Sequence, residues 1–169
     1  MNRSKSLALA VAAAVPLIAF AIAGCGGSGS ASAAPRRVSN ATVQVRTTGL
    51  GKVLVDAQGR TLYLFKKDSG TKSACFGACA AAWPPLRAAG KPKVGAGAKA
   101  AMVATTKRSD GGAQVTYNGH PLYRFMGDKK AGDTNGQGLN AFGGRWFAVS
   151  AAGKPVTAAP SNSGGNTVY

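Results

Sequence analysis

A ten-residue block occurs twice in this chain, and this repetition limits the possible folds more than any other feature. The first copy is GRTLYLFKKD at residues 59–68, and the second is GHPLYRFMGD at residues 119–128. The identical positions are Gly59 and Gly119, Leu62 and Leu122, Tyr63 and Tyr123, Phe65 and Phe125, and Asp68 and Asp128. Because an internal repeat sets the number of equivalent structural units, the sequence predicts two such units.

Each copy of the block is typical of a short β-strand that begins after a glycine. Apolar and aromatic residues dominate positions 62–65 and 122–125, as in strands bounded by turns. Side chains alternate between the two faces of a strand, so Tyr63 shares a face with Phe65, and Tyr123 with Phe125. We predict that this Tyr/Phe face points into a core in both copies. The opposite face should be buried in the first copy and, because of Arg124, partly exposed in the second.

A β-hairpin is predicted to lead into each block. Asn118-Gly119 is a strong two-residue turn signal, because both residue types tolerate a positive φ. Gln58-Gly59 occupies the matching place in the first copy. A turn centred there would set Val55 opposite Leu62.

The repeated pattern Tyr-x-aromatic-x-x-Asp follows Gly-x-x-Leu, and in the first copy Cys-x3-Cys and Trp-Pro-Pro come after it. It resembles the pattern of the bacterial secreted repeat lipoproteins, which are predicted lipoproteins with a Yx(FWY)xxD motif. The resemblance covers residues 51–149. The second copy departs from the first, since it has no cysteine and has Trp146-Phe147 where Trp83-Pro84-Pro85 would stand. The resemblance implies a secreted two-repeat fold, and it implies no particular reaction.

The N-terminus is organised like a bacterial export signal. Residues 1–5 include two basic side chains, residues 7–22 form an apolar run broken only by Pro16, and Ile22-Ala23-Gly24-Cys25 resembles a lipobox. We predict a lipoprotein signal peptide at residues 1–24, and acylation of Cys25, with palmitate among the lipids, at the extracytoplasmic face of the cell membrane. The alternatives are a plain signal peptide and an uncleaved membrane helix. The apolar run of 16 residues is shorter than the ~20 that a spanning helix needs.

The rest of the chain is predicted to form a single small, mostly β domain built from two tandem β repeats. Residues 25–42 hold the lipidated cysteine and a Gly/Ser/Ala-rich flexible tether,. Residues 43–150 contain repeat one (about 51–86) and repeat two (about 111–149), and residues 87–101 are the link, with a weak helical turn at most. Gly, Pro, Asn and Asp interrupt this stretch at short intervals and no long helical periodicity appears, which favours short strands joined by turns. Residues 151–169 are predicted to be a mobile tail.

The predicted mature protein is strongly basic. Without Arg3 and Lys5, which belong to the signal, 19 basic residues face five Asp and no Glu, a net charge of +14. This charge favours anionic partners, which outside a cell membrane are phospholipid headgroups or anionic wall polymers; another envelope protein is a further candidate. Nucleic acid belongs to another compartment and is not expected. The alternative is that dispersed Lys and Arg only keep the domain soluble.

Cys75 and Cys79 are the two cysteines that remain once Cys25 is acylated. In an exported chain, two cysteines four residues apart suit a disulfide if their segment makes one turn. Metal binding together with His120 is the rival, although one His and two Cys are a poor tetrahedral set. We predict a disulfide, and we expect no metal and no cofactor.

The aspartates and tryptophans of the repeats have both a structural and a functional interpretation. Asp68 and Asp128 could be ligands or acid/base groups, but we expect turn residues that accept hydrogen bonds from N–H groups two positions on. Trp83 and Trp146 occupy corresponding ends of the repeats, and such residues more often fill a core than bind a ligand. Together with His120, they are nevertheless the candidate ligand-facing residues.

No motif of an enzyme family accompanies these residues, so no catalytic residue is assigned and an enzymatic activity is not favoured. The sequence has neither a nucleophile elbow nor a Gly-rich phosphate loop after a strand. The favoured function is a lipid-anchored, non-enzymatic binding or structural module of the cell envelope. The alternative is an envelope redox or metal-handling protein that uses the cysteine pair, His120 and the Tyr and Trp residues.

Overall fold

The computed structural model describes residues 40–157, which include both copies of the repeated block. The predicted signal peptide, Cys25 and most of the predicted tether lie outside the described residues, as do residues 158–169. Between residues 40 and 157, no helix has the length and apolar character needed to cross a membrane. This part is built mainly from short β-strands, so the predicted mostly β fold is confirmed.

Ten strands, one α-helix and one 3₁₀ helix follow one another in residues 40–157. The strands are β1 (Thr42–Thr48), β2 (Gly51–Val55), β3 (Tyr63–Phe65), β4 (Arg87–Ala88), β5 (Lys93–Val94), β6 (Val103–Lys107), β7 (Ala113–Tyr117), β8 (His120–Pro121), β9 (Asn140–Ala141) and β10 (Gly144–Ala148). Helix α1 (Ala78–Ala82) lies between β3 and β4, and the 3₁₀ helix (Ala100–Met102) precedes β6. The link between the repeats therefore contains the predicted single helical turn, together with β4 and β5, which the sequence did not indicate.

Three small sheets pair neighbouring and distant strands. Strand β1 lies between antiparallel β2 and parallel β5. Strand β7 lies between β6 and β4 and also pairs with β8. Strand β10 lies between β9 and β3, with Trp146 opposite Phe65. One sheet thus joins β3 of repeat one to β10 of repeat two, and another joins the link strand β4 to β7 of repeat two.

The end of each repeat completes the hairpin of the other repeat. Leu86, at the end of repeat one, donates its N–H to the carbonyl of Leu122 and accepts the N–H of Val115, at 2.8 Å in both cases. Val149, at the end of repeat two, makes the equivalent two bonds to repeat one, at 3.1 and 2.7 Å. Because each repeat lacks a strand that only the other supplies, the two repeats form one domain.

Tyr63 and Tyr123 lie where the two repeats meet. Each accepts a backbone hydrogen bond from the other at 2.9 Å, and both side chains are fully buried. Phe65 is buried, whereas Phe125 is half-buried. The Tyr/Phe face therefore points inward as predicted, and Arg124 on the opposite face of the second copy is partly exposed, also as predicted.

The two faces of the repeated strands pack into two different clusters. One cluster is aliphatic and takes the leucines of both blocks, and the other is aromatic and includes the two cysteines. Four rings stack through the aromatic cluster in the order Phe65, Trp146, Trp83 and Phe125, with centroids 4.0, 3.9 and 4.3 Å apart. Each Phe of the repeated block thus stacks on the Trp of the other repeat.

The predicted turn at the start of the second block is confirmed. Asn118 and Gly119 have φ angles of 49° and 80°. Tyr117 and His120 pair across these two residues. This is the two-residue connection that favours Asn followed by Gly, because both positions need a positive φ.

The predicted register of the first hairpin is wrong by one residue. Val55 pairs with Thr61 and not with Leu62. The reason is Asp56, whose buried carboxylate accepts hydrogen bonds from two backbone N–H groups of the turn, at 2.9 and 3.0 Å. An aspartate that binds the backbone in this way stabilises a wider turn than a two-residue connection.

The domain extends beyond its predicted C-terminal boundary at residue 150. Val149 pairs with Pro155, and the N–H of Val156 donates to strand β10 at 2.8 Å. The side chain of Gln137 donates to the carbonyl of Val156 at 2.6 Å. Residues 151–156 are thus held by the fold, and the prediction of a mobile tail is wrong for them.

The ring stack leads to a prediction about stability. Truncation of a buried Phe typically costs about 3–5 kcal/mol, so Phe65→Ala should lower the Tm of the whole domain in a single transition. Phe125→Ala should lower it less, because Phe125 is half-buried. Thermal unfolding of the exported protein, followed by calorimetry, measures both effects.

Met126→Ala is the control for these variants, because it truncates a large apolar side chain that is 53% exposed. We expect it to change the free energy of unfolding by about 0.5 kcal/mol or less. Two separate melting transitions, or wild-type melting of Phe65→Ala, would contradict a core shared by both repeats.

Candidate functional site

The Tyr and Asp of the repeated block form two hydrogen bonds that connect the repeats. Tyr63 donates its Oη–H to Asp128 Oδ2 at 2.7 Å, and Tyr123 donates to Asp68 Oδ2 at 2.9 Å. Each Oδ1 accepts a backbone N–H from a later loop residue, six positions on for Asp68 and seven for Asp128, at 2.8 and 2.9 Å. The aspartates are therefore structural, as expected, but the expected partner two positions on is wrong, because both loops are longer than a tight turn.

Burial sets the protonation of these four side chains. It raises the pKa of Asp68 to about 6, although a backbone N–H, the Tyr123 hydroxyl and the charge of Arg108 act in the opposite direction. Burial also raises the pKa of Asp128. The pKa values of Tyr63 and Tyr123 are raised well above the usual range, mainly by burial. Both phenols therefore stay protonated hydrogen-bond donors at neutral pH.

The three candidate ligand-facing residues lie in different surroundings. Trp83 and Trp146 are 1% and 0% exposed, because rings of the stack cover both faces of each indole. The prediction that they face a ligand is wrong. His120 is half-buried on β8, and burial, followed by the charge of Lys66, lowers its pKa.

Cys75 and Cys79 form the predicted disulfide, with their Cα atoms 5.2 Å apart. Both residues are buried in the aromatic cluster. Their sulfur atoms are bonded to each other and are not available as thiolate ligands. In the part of the chain that the structure describes, no three His, Cys, Asp or Glu side chains lie close enough to share a metal ion.

Internal contacts engage all five carboxylate side chains of the protein. Asp56 and Asp110 each pair with two arginines, at 2.7 to 3.2 Å. Asp133 accepts two backbone N–H groups at 2.8 Å, and Asp68 and Asp128 accept the tyrosine hydroxyls. The other Lys and Arg side chains of residues 40–157 have no carboxylate within ion-pair distance, so the surface of this domain is positive.

A cleft of about 470 Å³ opens between the loop after β3 and the turn from β6 to β7. Its lining combines three cations, two hydroxyls and one aromatic ring: Lys72, Ser73, Phe76, Lys107, Arg108 and Ser109. Both lysines are exposed, and Phe76 is one of the large apolar side chains that the domain leaves accessible. The cleft thus presents positive charge beside an accessible ring.

Arg108 forms the base of this cleft. It is buried, and each of its five N–H groups has an acceptor. The acceptors are Asp110, Ser73, Gln114 and the carbonyl of Cys75. The Arg108 guanidinium carbon lies 4.6 Å from the centroid of the Phe76 ring, which is a cation–π distance. Arg108, whose charge is paired with Asp110, therefore holds the ring, while Lys72 and Lys107 supply the exposed ammonium groups.

Sequence reasoning did not identify this cleft. Its two halves, at residues 72–76 and 107–109, lie far apart in the chain. The hydrogen bond of 2.7 Å from Arg108 to the Cys75 carbonyl connects them, and this contact exists only in the folded protein. The available signal was the cysteine pair, since a short disulfide loop fixes the geometry of its neighbours.

The two repeats match a known family model. It is described as a secreted repeat of unknown function and matches residues 44–87 and 104–150. The first match runs from β1 to the start of β4, and the second from β6 to two residues beyond β10. No curated protein and no solved structure matches the chain. Each matched segment therefore contains one copy of the block, together with the residue, Leu86 or Val149, that completes the hairpin of the other repeat.

The raised pKa of Asp68 predicts how stability depends on pH. Since its pKa is about 6 in the fold and 3.8 as a reference, the folded state binds the proton more tightly than the unfolded state. The stability that Asp68 contributes is therefore fully present below about pH 4 and is lost as the pH rises through about 6. The Tm of wild type relative to that of Asp68→Asn should therefore be higher at pH 4 than at pH 7.

His120, whose pKa is lowered, acts in the opposite sense, but it is present in both proteins and cancels in this difference. Asp110→Asn is the control, because Arg108 lowers the pKa of Asp110 and this carboxylate stays ionised over the same pH range. Calorimetry at matched ionic strength measures both series. A difference that is constant from pH 4 to pH 7 for Asp68→Asn would contradict the prediction.

Proposed function

This chain belongs to the family of secreted repeats of unknown function, and we propose that it is a lipid-anchored envelope module that binds an anionic polymer without catalysing a reaction. The observation that carries the proposal is the cleft beside Phe76. This cleft places Lys72 and Lys107 beside an accessible ring, and the carboxylate next to it, Asp110, is paired with Arg87 and Arg108. An anionic ligand is therefore attracted by the cations of the cleft and meets no unpaired carboxylate nearby.

The lining of the cleft favours a ligand with both a negative charge and a carbon backbone. The ammonium groups of Lys72 and Lys107 suit phosphate or carboxylate oxygens as point charges. The ring of Phe76 offers an apolar face, against which the carbon face of a sugar or polyol packs. A polyol phosphate or an acidic glycan combines these features, and both chemistries occur in wall polymers.

A binding role, and not a catalytic one, is supported by the state of the acids and phenols. Asp68 and Asp128 are tied to tyrosine hydroxyls and backbone N–H groups. Tyr63 and Tyr123 have strongly raised pKa values and are buried. A general base or nucleophile must reach the substrate, but both phenols are buried in the core and both carboxylates already accept these hydrogen bonds.

The anchor is the part of the proposal that rests on sequence. The segment Ile22-Ala23-Gly24-Cys25 follows an apolar run and a basic start, which is the order of an export signal. Several acyl chains on one cysteine hold a protein to a bilayer firmly, because each buried CH₂ contributes about 0.8 kcal/mol. A tether from Cys25 would then keep the cleft close to the envelope polymers.

Replacement of Cys25 tests the anchor. Cys25→Ser should release the exported protein from the membrane fraction and abolish acyl modification, as measured by cell fractionation and mass spectrometry. Ser28→Ala is the control, since it changes the adjacent Gly/Ser-rich segment without removing a thiol. Equal membrane association of Cys25→Ser and wild type, with no acyl group in either, would refute the anchor.

Replacement of the cleft residues tests the ligand. Binding of the exported protein to polyglycerol phosphate and to polygalacturonate, with neutral dextran as reference, can be measured by calorimetry. The double variant Lys72→Gln/Lys107→Gln should weaken binding by about tenfold or more, because two charge-assisted hydrogen bonds are lost. Phe76→Ala should also weaken it, and high salt should weaken all binding.

Lys154→Gln is the matched control, because it removes an exposed charge far from the cleft. Gly153 accepts a hydrogen bond from Asn118, which places Lys154 at the opposite end of the β6–β7 hairpin from Lys107. The control should bind like wild type apart from a small general charge effect. Equal weakening by the control and by the double variant would show that only net charge matters and would refute a specific cleft.

A further inference from the structure

A second feature of the surface is the turn between β9 and β10. Its two residues, Phe142 and Gly143, have φ angles of 57° and 81°. Two-residue turns of this type favour Asn, Asp or Gly at the first position, because that residue must adopt a left-handed conformation. A bulky aromatic residue with a positive φ is an outlier that costs free energy, and such costs concentrate at functional positions.

The fold holds this strained aromatic residue outward. Phe142 is 43% exposed, and Leu139, just before β9, is 39% exposed. The buried Trp146 donates its backbone N–H to Leu139 at 2.9 Å and its indole N–H to the carbonyl of Ala141 at 3.2 Å. The turn is therefore attached to the ring stack, while two large apolar side chains remain partly accessible.

Cations border the same turn. Lys67 Nζ donates to the Phe142 carbonyl at 3.3 Å, and the N–H of Lys66 donates to the Arg145 carbonyl at 2.9 Å. Lys66, Lys67 and Arg145 are exposed, and within residues 40–157 none of them forms an ion pair. We call Leu139, Phe142, Lys66, Lys67 and Arg145 the hairpin tip.

We propose that the hairpin tip docks on an anionic phospholipid bilayer and inserts Phe142 and Leu139 at the level of the headgroups. A bilayer of this kind places negative charge a few ångströms above an apolar layer, which matches apolar side chains bordered by cations. A polyanionic wall polymer lacks the apolar layer. A second copy of this chain would bring the same positive charge to the contact, which disfavours self-association.

This site is separate from the cleft and does not depend on Cys25. Each Lys or Arg close to an anionic surface strengthens binding by about fivefold, so the three cations act together with the apolar side chains. Docking would hold the domain in one orientation on the membrane, which a flexible tether by itself cannot do.

Tryptophan fluorescence tests the insertion. Phe142→Trp in the exported protein should be quenched by vesicles of brominated phosphatidylglycerol, and much less by brominated phosphatidylcholine or at high salt. Val94→Trp is the matched control, because Val94 is 39% exposed on β5 and is not part of the hairpin tip. Trp83 and Trp146 are buried and give a background that is subtracted using wild type.

Val94 pairs with Val43, directly after the predicted tether, so a lipid anchor would bring position 94 at least as close to the vesicle as position 142. Stronger quenching at 142 than at 94 therefore reports docking. Quenching of Phe142→Trp only, on phosphatidylglycerol, is the expected result. No quenching at 142, equal quenching at 94, or equal quenching on both lipids would overturn the proposal. A spectral shift of Phe142→Trp with polyglycerol phosphate alone, or with protein concentration alone, would assign the hairpin tip to a polymer or to a second copy and would also overturn it.

Phe142→Asn gives a second test that cannot be confused with unfolding. Asparagine is favoured at this left-handed position, so the variant should melt at or above the Tm of wild type. On phosphatidylglycerol vesicles, the amides of residues 139–145 should exchange hydrogen severalfold more slowly in wild type than in Phe142→Asn. Equal slowing of exchange in both proteins would refute a role for the aromatic ring.

Discussion

The structure depends on contacts that each repeat makes, in the same way, with the other repeat. Tyr63 donates to Asp128, and Tyr123 donates to Asp68. Each of these buried polar groups would lose its partner in an isolated repeat, and an unsatisfied buried group costs about 1–3 kcal/mol. Such reciprocal contacts also occur in the ring stack and at the strand ends, where Val149 completes the hairpin of repeat one. The Tyr and Asp of the motif are thus interface residues between halves of one domain, which explains why they occur once in each half.

The local part of this arrangement was predictable from the sequence, and the long-range part was not. The faces of Tyr63 and Phe65 follow from the alternation of a strand, and the Asn118-Gly119 turn follows from the φ values that these residues tolerate. The disulfide follows from two exported cysteines at a suitable spacing.

The partner of each motif Asp lies in the other repeat, and no pattern of spacing reveals a contact of this kind. The Asp56 carboxylate likewise decided the register of the first hairpin through contacts, including its pair with Arg124, that depend on the tertiary fold.

The fold determines which charges of the protein reach its surface unpaired, because it pairs its few carboxylates internally. All five aspartates are engaged internally, by arginines, tyrosine hydroxyls or backbone N–H groups. The lysines of the described domain are consequently left facing solvent without local carboxylates. A balance of charge that looks dispersed along the sequence therefore becomes a surface on which unpaired cations predominate, which favours anionic partners over long distances. Specific recognition then needs a further feature, and an exposed aromatic ring beside the cations supplies one both at Phe76 and at Phe142.

The repeats are equivalent in the core but differ at the surface, and both proposed sites lie where they differ. The loop after β3 carries Lys66 and Lys67 to the hairpin tip and Lys72 to the cleft, and between them Asp68 fixes this loop to Tyr123. The corresponding loop after Asp128 has no disulfide, because the second copy has no cysteine. In repeat one the disulfide loop presents the Cys75 carbonyl to Arg108, which belongs to the other repeat. The shared motif therefore builds one rigid core, and the residues found in a single copy determine what the surface of that core can bind.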